Sequence, residues 1–268
     1  MRWTPRAWLA CGLLLALWPV SGAQADGKRQ VDDLLARSRS LMVGGAPVFQ
    51  AGAWSAYRLR LHDRERDGDL ASLDALLRIS FPIHVDHERP LPEGGFWMEF
   101  EFGDPNAGEG GVHFMVLKML VVGDPREAGA VKGVFIGAGG RRPWELGEKW
   151  LRRGQEAPAE ACQQGDAGGC AKAGGKVREF PAKKIYTKVG WLEARRVLID
   201  LPDGSSQQMW LSRAVPVLGF VRANLAKAMD LELEGFGSGA LSRLDETQAV
   251  PLPDPEELDK ELKDLERR

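Results

Sequence analysis

Apolar and polar residues alternate at every second position through several segments of the chain. Four segments show the pattern, and their apolar members are, in turn, Tyr57, Leu59 and Leu61; Phe96, Met98, Phe100 and Phe102; Trp191, Val197, Ile199 and Leu201; and Met229, Leu231 and Leu233. Because successive side chains of a strand point to opposite faces, each segment is predicted to form a strand with one apolar and one solvated face. Such strands are typical of an antiparallel sheet with one face in water.

Two further segments are apolar at nearly every position. They cover residues 112–122 and 131–136, and we expect central strands that are covered on both faces, with a helix as one candidate for the cover. The turn sequence Pro202-Asp203-Gly204-Ser205 predicts a hairpin between the strand that ends near Leu201 and the segment that begins at Ser206.

Helical patterns are short. We predict an amphipathic helix over residues 30–42, one or two helical turns over residues 142–153, and a charged helix in the tail, residues 251–268. In the tail, Asp254 can cap the helix and Pro255 suits its first position. The apolar stripe of this helix consists of Leu258, Leu262 and Leu265. The whole pattern predicts a mainly β (α+β) fold.

The N-terminal residues have the layout of an export signal. Arg2 and Arg6 precede an apolar stretch, residues 8–20, that is too short for a spanning helix, and Ala23-Gln24-Ala25 offers a small-x-small cleavage pattern. An uncleaved anchor and a lipid-modified Cys11 are the alternatives, and both fit the order of residues less well. We therefore expect a signal peptide, residues 1–25, cleaved after Ala25, and a periplasmic or secreted protein.

Two cysteines remain after such processing. Cys162 and Cys170 are separated by seven residues, which matches neither the C-x-x-C redox motif nor a structural zinc site with a second ligand pair. Because exported proteins meet an oxidising environment, we predict a local disulfide inside a glycine-rich loop, residues 155–175. We then expect one domain, residues 26–250, that carries this loop as an insertion, followed by the tail.

The charge of the chain indicates no nucleic-acid partner. The formal net charge is −2 at pH 7, without the basic excess that binding to nucleic acid needs. A local basic cluster surrounds Trp144 and Trp150 and could touch an anionic membrane surface, although packing of both tryptophans into the protein is the favoured interpretation. Its members are Arg141, Arg142, Lys149, Arg152 and Arg153. Membrane contact is therefore expected to be peripheral at most.

Two groups of residues are candidates for chemistry. His84, Asp86 and His87, together with Glu88, could hold zinc or copper, but a polar strand end and loop is the favoured interpretation. Glu99 and Glu101 share one face of a predicted strand at about 6–7 Å, a spacing that suits paired carboxylate catalysts. Alternation places them opposite the phenylalanines, so we expect both carboxylates in water. No metal or other cofactor is predicted.

Three short motifs resemble a known superfamily. They are MWLSRAVPVLGFVRA from Met209 to Ala223, with Ser212, Val215-Pro216, Gly219 and Val221; Gly52-x-Trp54-x-x-Tyr57; and Phe96-Trp97-Met98-Glu99. With the strand pattern they look like exported proteins of the LolA/LolB-like lipoprotein-carrier type. The resemblance implies an incomplete barrel, in which one curved antiparallel sheet has helices on its concave side. It implies an apolar cavity for acyl chains and no catalytic residue. The arginine that latches the lid in that family has no assignable counterpart here.

The leading hypothesis is a non-enzymatic exported protein that binds or carries a lipid, an acyl chain or a lipoprotein. The residues assigned to the cavity lining are Tyr57, Leu59, Leu61, Phe96, Met98, Phe100, Val197 and Trp210. The same side chains would serve equally well as a closed core. The first alternative is an envelope structural or assembly protein that binds a protein partner. The second is a metal-dependent hydrolase built on His84, Asp86 and His87.

Overall fold

Thirteen strands of one curved sheet make up most of the part of the chain that the structure describes. The computed structural model describes residues 48–62, 72–103, 113–125, 127, 129–137, 142–156, 176–200, 206–225 and 229–257. The strands are β1 Trp54–His62, β2 Ser72–Ser80, β3 Gly95–Gly103, β4 His113–Val122, β5 Val131–Gly137, β6 Trp144–Glu145, β7 Lys176–Glu179, β8 Lys183–Thr187, β9 Gly190–Asp200, β10 Ser206–Leu211, β11 Phe220–Leu225, β12 Met229–Gly237 and β13 Val250–Pro251.

The sheet joins two meanders side by side. Its order is β13-β6-β5-β4-β3-β2-β1-β12-β11-β10-β9-β7, and β8 pairs with β9 beyond the end of β7. All neighbours are antiparallel except β13 and β6, which run parallel. The order does not return on itself in the described residues, so the predicted mainly-β incomplete barrel is confirmed.

One apolar cluster occupies the concave face of the sheet. It takes buried side chains from nine strands, β1 to β5 and β9 to β12, which is the whole central stretch of the sheet order. We call this set the concave cluster. Five of the seven methionines of the chain belong to it, Met98, Met115, Met119, Met209 and Met229.

The predicted central strands β4 and β5 are covered on both faces. Their concave side chains join the concave cluster, while Val116 and Phe135 point the other way into a second cluster with Trp97 and Leu244. The cover of this convex side is a loop, residues 82–91, and a segment, residues 241–249, whose one helical turn is the 3-10 helix Glu246–Gln248; in the described part of the chain an α-helix, the candidate cover, does not take part.

The segment 142–153 begins as a strand and not as a helix. Trp144 pairs with Ile136 on one side and with Val250 on the other, so these ladder bonds take up the backbone before Gly147. Helix α1 follows at Glu148–Glu156. Among the described residues, no helix has both the length and the apolar character that a membrane span requires.

The predicted hairpin between β9 and β10 is confirmed by the pairing of Asp200 with Ser206. Residues 255–257 are helical, so the tail helix begins at the predicted Pro255. Several other predictions lie outside the described residues. They are the cleavage site after Ala25, the helix over residues 30–42, the disulfide between Cys162 and Cys170, and the stripe of Leu258, Leu262 and Leu265.

Candidate functional site

The concave face brings together six of the eight residues assigned to a cavity lining. Tyr57, Leu59, Phe96, Met98, Phe100 and Val197 all belong to the concave cluster, with exposures of 0–8%. The side chain of Leu61 lies outside the described residues. Side chains this deeply buried contact one another, so a guest molecule enters this face only if some of them move.

Trp210, the eighth assigned residue, is half-buried and packs against the concave cluster without being one of its buried members. Its neighbour Met209 is buried in that cluster, so the alternation along β10 starts the Trp210 side chain on the other side of the strand. There the Trp210 ring lies beneath Lys183, whose Nζ is 4.8 Å from the ring centroid, and near Arg196. The surroundings of Trp210 are therefore partly cationic.

The concave cluster contains one polar atom of interest, the Tyr57 hydroxyl. Tyr57 is fully buried, and its hydroxyl has no partner at ordinary hydrogen-bond geometry among the described residues, with the buried Ser55 side chain as its polar neighbour. Burial raises the pKa of Tyr57 well above its usual value and Ser55 opposes that rise, so the group is neutral at all physiological pH. The Phe220 ring lies at its edge, 6.5 Å between centroids. An unused donor inside an apolar cluster is a position at which a ligand oxygen would be stabilised.

The convex face over β3 and β4 carries buried charges, and here the prediction from alternation is wrong. Glu99 and Glu101 are expected in water, yet their exposures are 0% and 1%. The covering loop, residues 82–91, and the covering segment, residues 241–249, exclude solvent from this face. Glu101 is balanced by Arg78, whose Nη1 lies 2.5 Å from Glu101 Oε1.

Lys118 is the centre of this charged cluster. Its Nζ donates to Glu88 Oε1 and Glu246 Oε2, both at 2.6 Å, and to Ser242 Oγ at 3.0 Å. The same Nζ lies 4.4 Å from the centroid of the Trp97 ring. Since Glu88 belongs to the covering loop and Glu246 to the covering segment, one buried ammonium fixes both covers to strand β4.

Glu99 is opposite Lys118 in the register of β3 and β4, and it holds the covering segment as well. It accepts hydrogen bonds from the Ser242 hydroxyl and from the backbone N–H of Arg243, the latter at 3.1 Å. Burial raises the pKa of Glu99 to about 7, and the two hydrogen bonds and Lys118 oppose that rise. Glu99 therefore changes its charge near neutral pH, without solvent access.

The sequence contains a signal for this cluster that the period-two pattern hides. Lys118 stands in the otherwise apolar segment FMVLKMLVV, so a lysine there has to be buried with a partner. Glu99 is the nearest carboxylate across the ladder. Glu88 and Glu246 carry no such signal, because they approach Lys118 from distant parts of the chain.

The predicted histidine group lies in the covering loop. His84 Nδ1 is 3.2 Å from Glu88 Oε2, and the backbone N–H of Val85 donates to the same oxygen at 3.1 Å. The other oxygen of Glu88 accepts from Lys118. Within the described ranges, no three His, Cys, Asp or Glu side chains converge as metal ligands do. The metal-hydrolase alternative thus finds no support in the geometry of this loop.

The tryptophan rings within the basic cluster, Trp144 and Trp150, pack into the protein, which agrees with the favoured interpretation. Trp150 is fully buried and its Nε1 donates to the carbonyl of Pro253 at 2.9 Å, while Trp144 is half-buried. Lys149 forms an ion pair with Asp254 at 2.8 Å. These contacts fasten the beginning of the tail to α1.

Exposed aromatic residues occur instead on the hairpin formed by β8 and β9. Tyr186 and Trp191 are 70% and 69% exposed, and their rings contact each other edge to face with centroids 5.3 Å apart. The prediction that Trp191 shares a face with Val197 and Ile199 is wrong. The buried positions of β9 are Ala194, Val197 and Ile199, so the alternation is interrupted between Ala194 and Val197, and Trp191 lies on the face opposite Ala194. The pairing of β9 with β10 ends at Arg195, so Trp191 lies beyond the end of β10.

Comparisons with known proteins return distant likenesses in structure only. No family model matches the chain, and no curated protein matches its sequence. The MucA/MucB complex of Pseudomonas aeruginosa is similar with a TM-score of 0.36 and 12% identity, over 82% of this chain and 61% of that chain. A Bacteroides fragilis protein described as exported, with a YmcC-like fold, gives a TM-score of 0.28 and 12% identity, over 72% of this chain and 100% of that chain.

A Parabacteroides distasonis protein described as a lipoprotein gives a TM-score of 0.29 and 11% identity, over 70% of this chain and 96% of that chain. The chain spans less than two thirds of the MucA/MucB chain. Likenesses at such low TM-scores carry no argument about ligands or partners. The strand architecture is of the kind that the sequence resemblance implies, but the comparisons do not single out the LolA/LolB type.

Proposed function

We propose that this protein is a non-enzymatic exported binding protein that takes up an acyl chain, of a free lipid or of a lipid-modified partner, at the concave face of its sheet. The observation that carries the proposal is the buried Tyr57 hydroxyl, a donor without a described partner inside an otherwise apolar cluster. An acyl chain that ends in an ester or carboxyl group has the matching chemistry, with a long apolar part and one oxygen acceptor.

The composition of the concave cluster suits a core that opens. Five methionines lie in it, and methionine side chains are unbranched and adapt to irregular shapes at low cost. The side chains of the cluster are deeply buried, so uptake requires them to move aside. The two ends of the sheet are not joined by strand pairing in the described residues.

The charged cluster on the convex face supports a structural role instead of catalysis. Lys118 and Arg78 neutralise the buried carboxylates nearest to them, and the cluster binds two covers to the sheet. Buried ion pairs of this kind fix the position of the segments that supply their members. We therefore assign no catalytic residue.

The test is ligand uptake by delipidated protein, with the two tyrosines of the chain as a matched pair. Saturable binding of a fatty acid or a lipopeptide is expected, and Tyr57→Phe should weaken it about fivefold, the worth of one neutral hydrogen bond. Tyr186→Phe removes an exposed hydroxyl and should leave uptake unchanged. In the ligand-free protein, Tyr57→Phe should raise the free energy of unfolding by about 1 kcal/mol, because a buried donor without a partner is removed.

Two results would end the proposal. One is the absence of saturable uptake together with the absence of any co-purifying lipid by mass spectrometry. The other is equal uptake by the wild type and by Tyr57→Phe, since the hydroxyl would then play no part in binding.

A second candidate function, binding of a protein partner in the envelope, is favoured by the anchoring of the tail. Leu252 N–H donates to the carbonyl of Glu145 at 2.8 Å, and Trp150 bonds to Pro253, so the helix that begins at Pro255 starts from a fixed point. Removal of residues 258–268 leaves these anchors in place. A pull-down with and without those residues tests the role of the tail, and unchanged partners would exclude it.

A further inference from the structure

The hairpin of β8 and β9 extends beyond the end of β10, and its turn reaches strand β12 through Lys188 and Glu234. Residues 183–187 pair with residues 190–194 in antiparallel register, whereas β10 pairs with β9 only from Arg195 to Asp200. In the described part of the chain, residues 190–194 therefore form a two-stranded ribbon with β8 alone. We call residues 183–194 the ribbon.

The two faces of the ribbon differ. Ile185 and Leu192 form one cross-strand pair, are half-buried and pack against the concave cluster. The adjacent pair, Tyr186 and Trp191, points to the other face and is exposed. Val189, in the turn, is also exposed. The ribbon is thus attached to the protein by one face and presents an aromatic pair on the other.

Tyrosine and tryptophan have an apolar body and a polar tip, and they are enriched at the boundary between lipid and water. Thr187 Oγ1 closes the turn by donating to the Gly190 carbonyl at 2.7 Å. The Tyr186 and Trp191 rings contact each other, with their centroids 5.3 Å apart. The aromatic pair is therefore held in a defined position in the absence of any partner. A fixed, exposed pair of this kind loses little conformational freedom on docking.

The charge of the ribbon is complementary to anionic lipid. Lys183, Lys184 and Lys188 are exposed, and the ribbon contains one acidic residue, Glu193, which is opposite Lys184 in the register. Lys184 shares the face of Tyr186, while Lys188 is held by Glu234 at 2.5 Å and Lys183 lies over the Trp210 ring. Lysines beside an exposed aromatic pair form the pattern by which peripheral proteins bind anionic membrane surfaces.

We propose that the ribbon docks the protein onto an anionic phospholipid surface, with Tyr186 and Trp191 at the level of the headgroups and the lysines against the phosphates. The surface differs from the basic tryptophan cluster of the sequence analysis, where Trp150 is buried. The proposal does not depend on acyl uptake, because the aromatic pair and the lysines lie outside the concave cluster, to which the ribbon contributes Ala194 and against which Ile185 and Leu192 pack.

The experiment is flotation of the full, exported protein with vesicles of phosphatidylglycerol and phosphatidylethanolamine, and with vesicles of phosphatidylcholine alone. Binding is expected for the anionic vesicles, and salt at about 0.5 M should weaken it. The double variant Tyr186→Ser/Trp191→Ser should bind at least about tenfold more weakly. Leu241→Ser removes an exposed apolar side chain elsewhere, at 58% exposure, and should bind like the wild type.

Thermal unfolding of each variant shows whether the fold is intact, and acyl uptake by the double variant separates the two proposals. Loss of vesicle binding with unchanged uptake and unchanged unfolding supports the docking role. Equal flotation of the wild type and the double variant overturns it, as does failure of the wild type to float. A double variant that loses a protein partner in a pull-down while still binding vesicles also overturns it, and would make the ribbon a protein-binding surface.

Discussion

Raising the pH from 5 to 8 should destabilise this protein through one buried carboxyl group, Glu99. The group has 0% exposure and lies under the covering segment, with a hydroxyl and a backbone N–H as its hydrogen-bond donors. Its pKa in the folded protein is about 7, against an ordinary value of 4.5. Burial is the main cause, since it disfavours the charged form.

The direction of the effect follows from proton binding. Between pH 4.5 and 7 the folded state keeps the proton on Glu99 while the unfolded state releases it. The stabilisation is therefore complete below the unfolded pKa and is lost as the pH rises through the folded pKa. A shift of this size corresponds to about 3 kcal/mol of unfolding free energy, from about 1.4 kcal/mol for each pKa unit.

The assay compares urea unfolding of the wild type and of Glu99→Gln at several pH values. Glutamine resembles the protonated carboxyl, so the variant should gain about 2.5 kcal/mol relative to the wild type between pH 5 and pH 8. Any loss of a hydrogen bond shifts the variant equally at all pH values and leaves this slope intact. Glu256→Gln, at a side chain with 70% exposure, serves as the control and should show no comparable slope. A difference between Glu99→Gln and wild type that stays constant with pH would refute the reasoning.

Three further predictions concern stability, measured by chemical denaturation. Lys118→Met leaves two buried glutamates without their shared cation and should cost about 3–5 kcal/mol, whereas Lys149→Met, at an exposed pair, should cost less than about 1 kcal/mol. Gly52→Ala should be more destabilising than Gly94→Ala, because both have positive φ but only at Gly52 would the new Cβ meet neighbouring atoms, at 3.1 Å. Met98→Ala should lower the free energy of unfolding by about 2–5 kcal/mol, because it leaves a cavity in the concave cluster; a loss under 1 kcal/mol would indicate loose packing there.

The local pattern of the chain was sufficient for part of the sheet, but it did not identify β2, β7, β8 or β11. Alternation identifies β1, β3 and β12 with their apolar faces and β9 as a strand, and the continuous apolar segments identify β4 and β5 as strands covered on both faces. These properties depend on residues close together in sequence, since the period of two follows from strand geometry itself. Trp144 is an exception, because its pairing with Val250 comes from a distant segment and overrides the local helical pattern.

The tertiary structure decided which face of each strand is exposed to solvent and which is buried. The same alternation that orients Glu99 and Glu101 away from the phenylalanines says nothing about the loop and the segment that later cover them. Lys118 forms its buried ion pairs with Glu88 and Glu246, which are 30 and 128 residues away in sequence. In the same way, Trp191 is expected on the face of Val197 but is exposed, because the alternation of buried positions along β9 is interrupted between Ala194 and Val197. Side-chain direction is a property of one strand, whereas burial is a property of everything that packs against it.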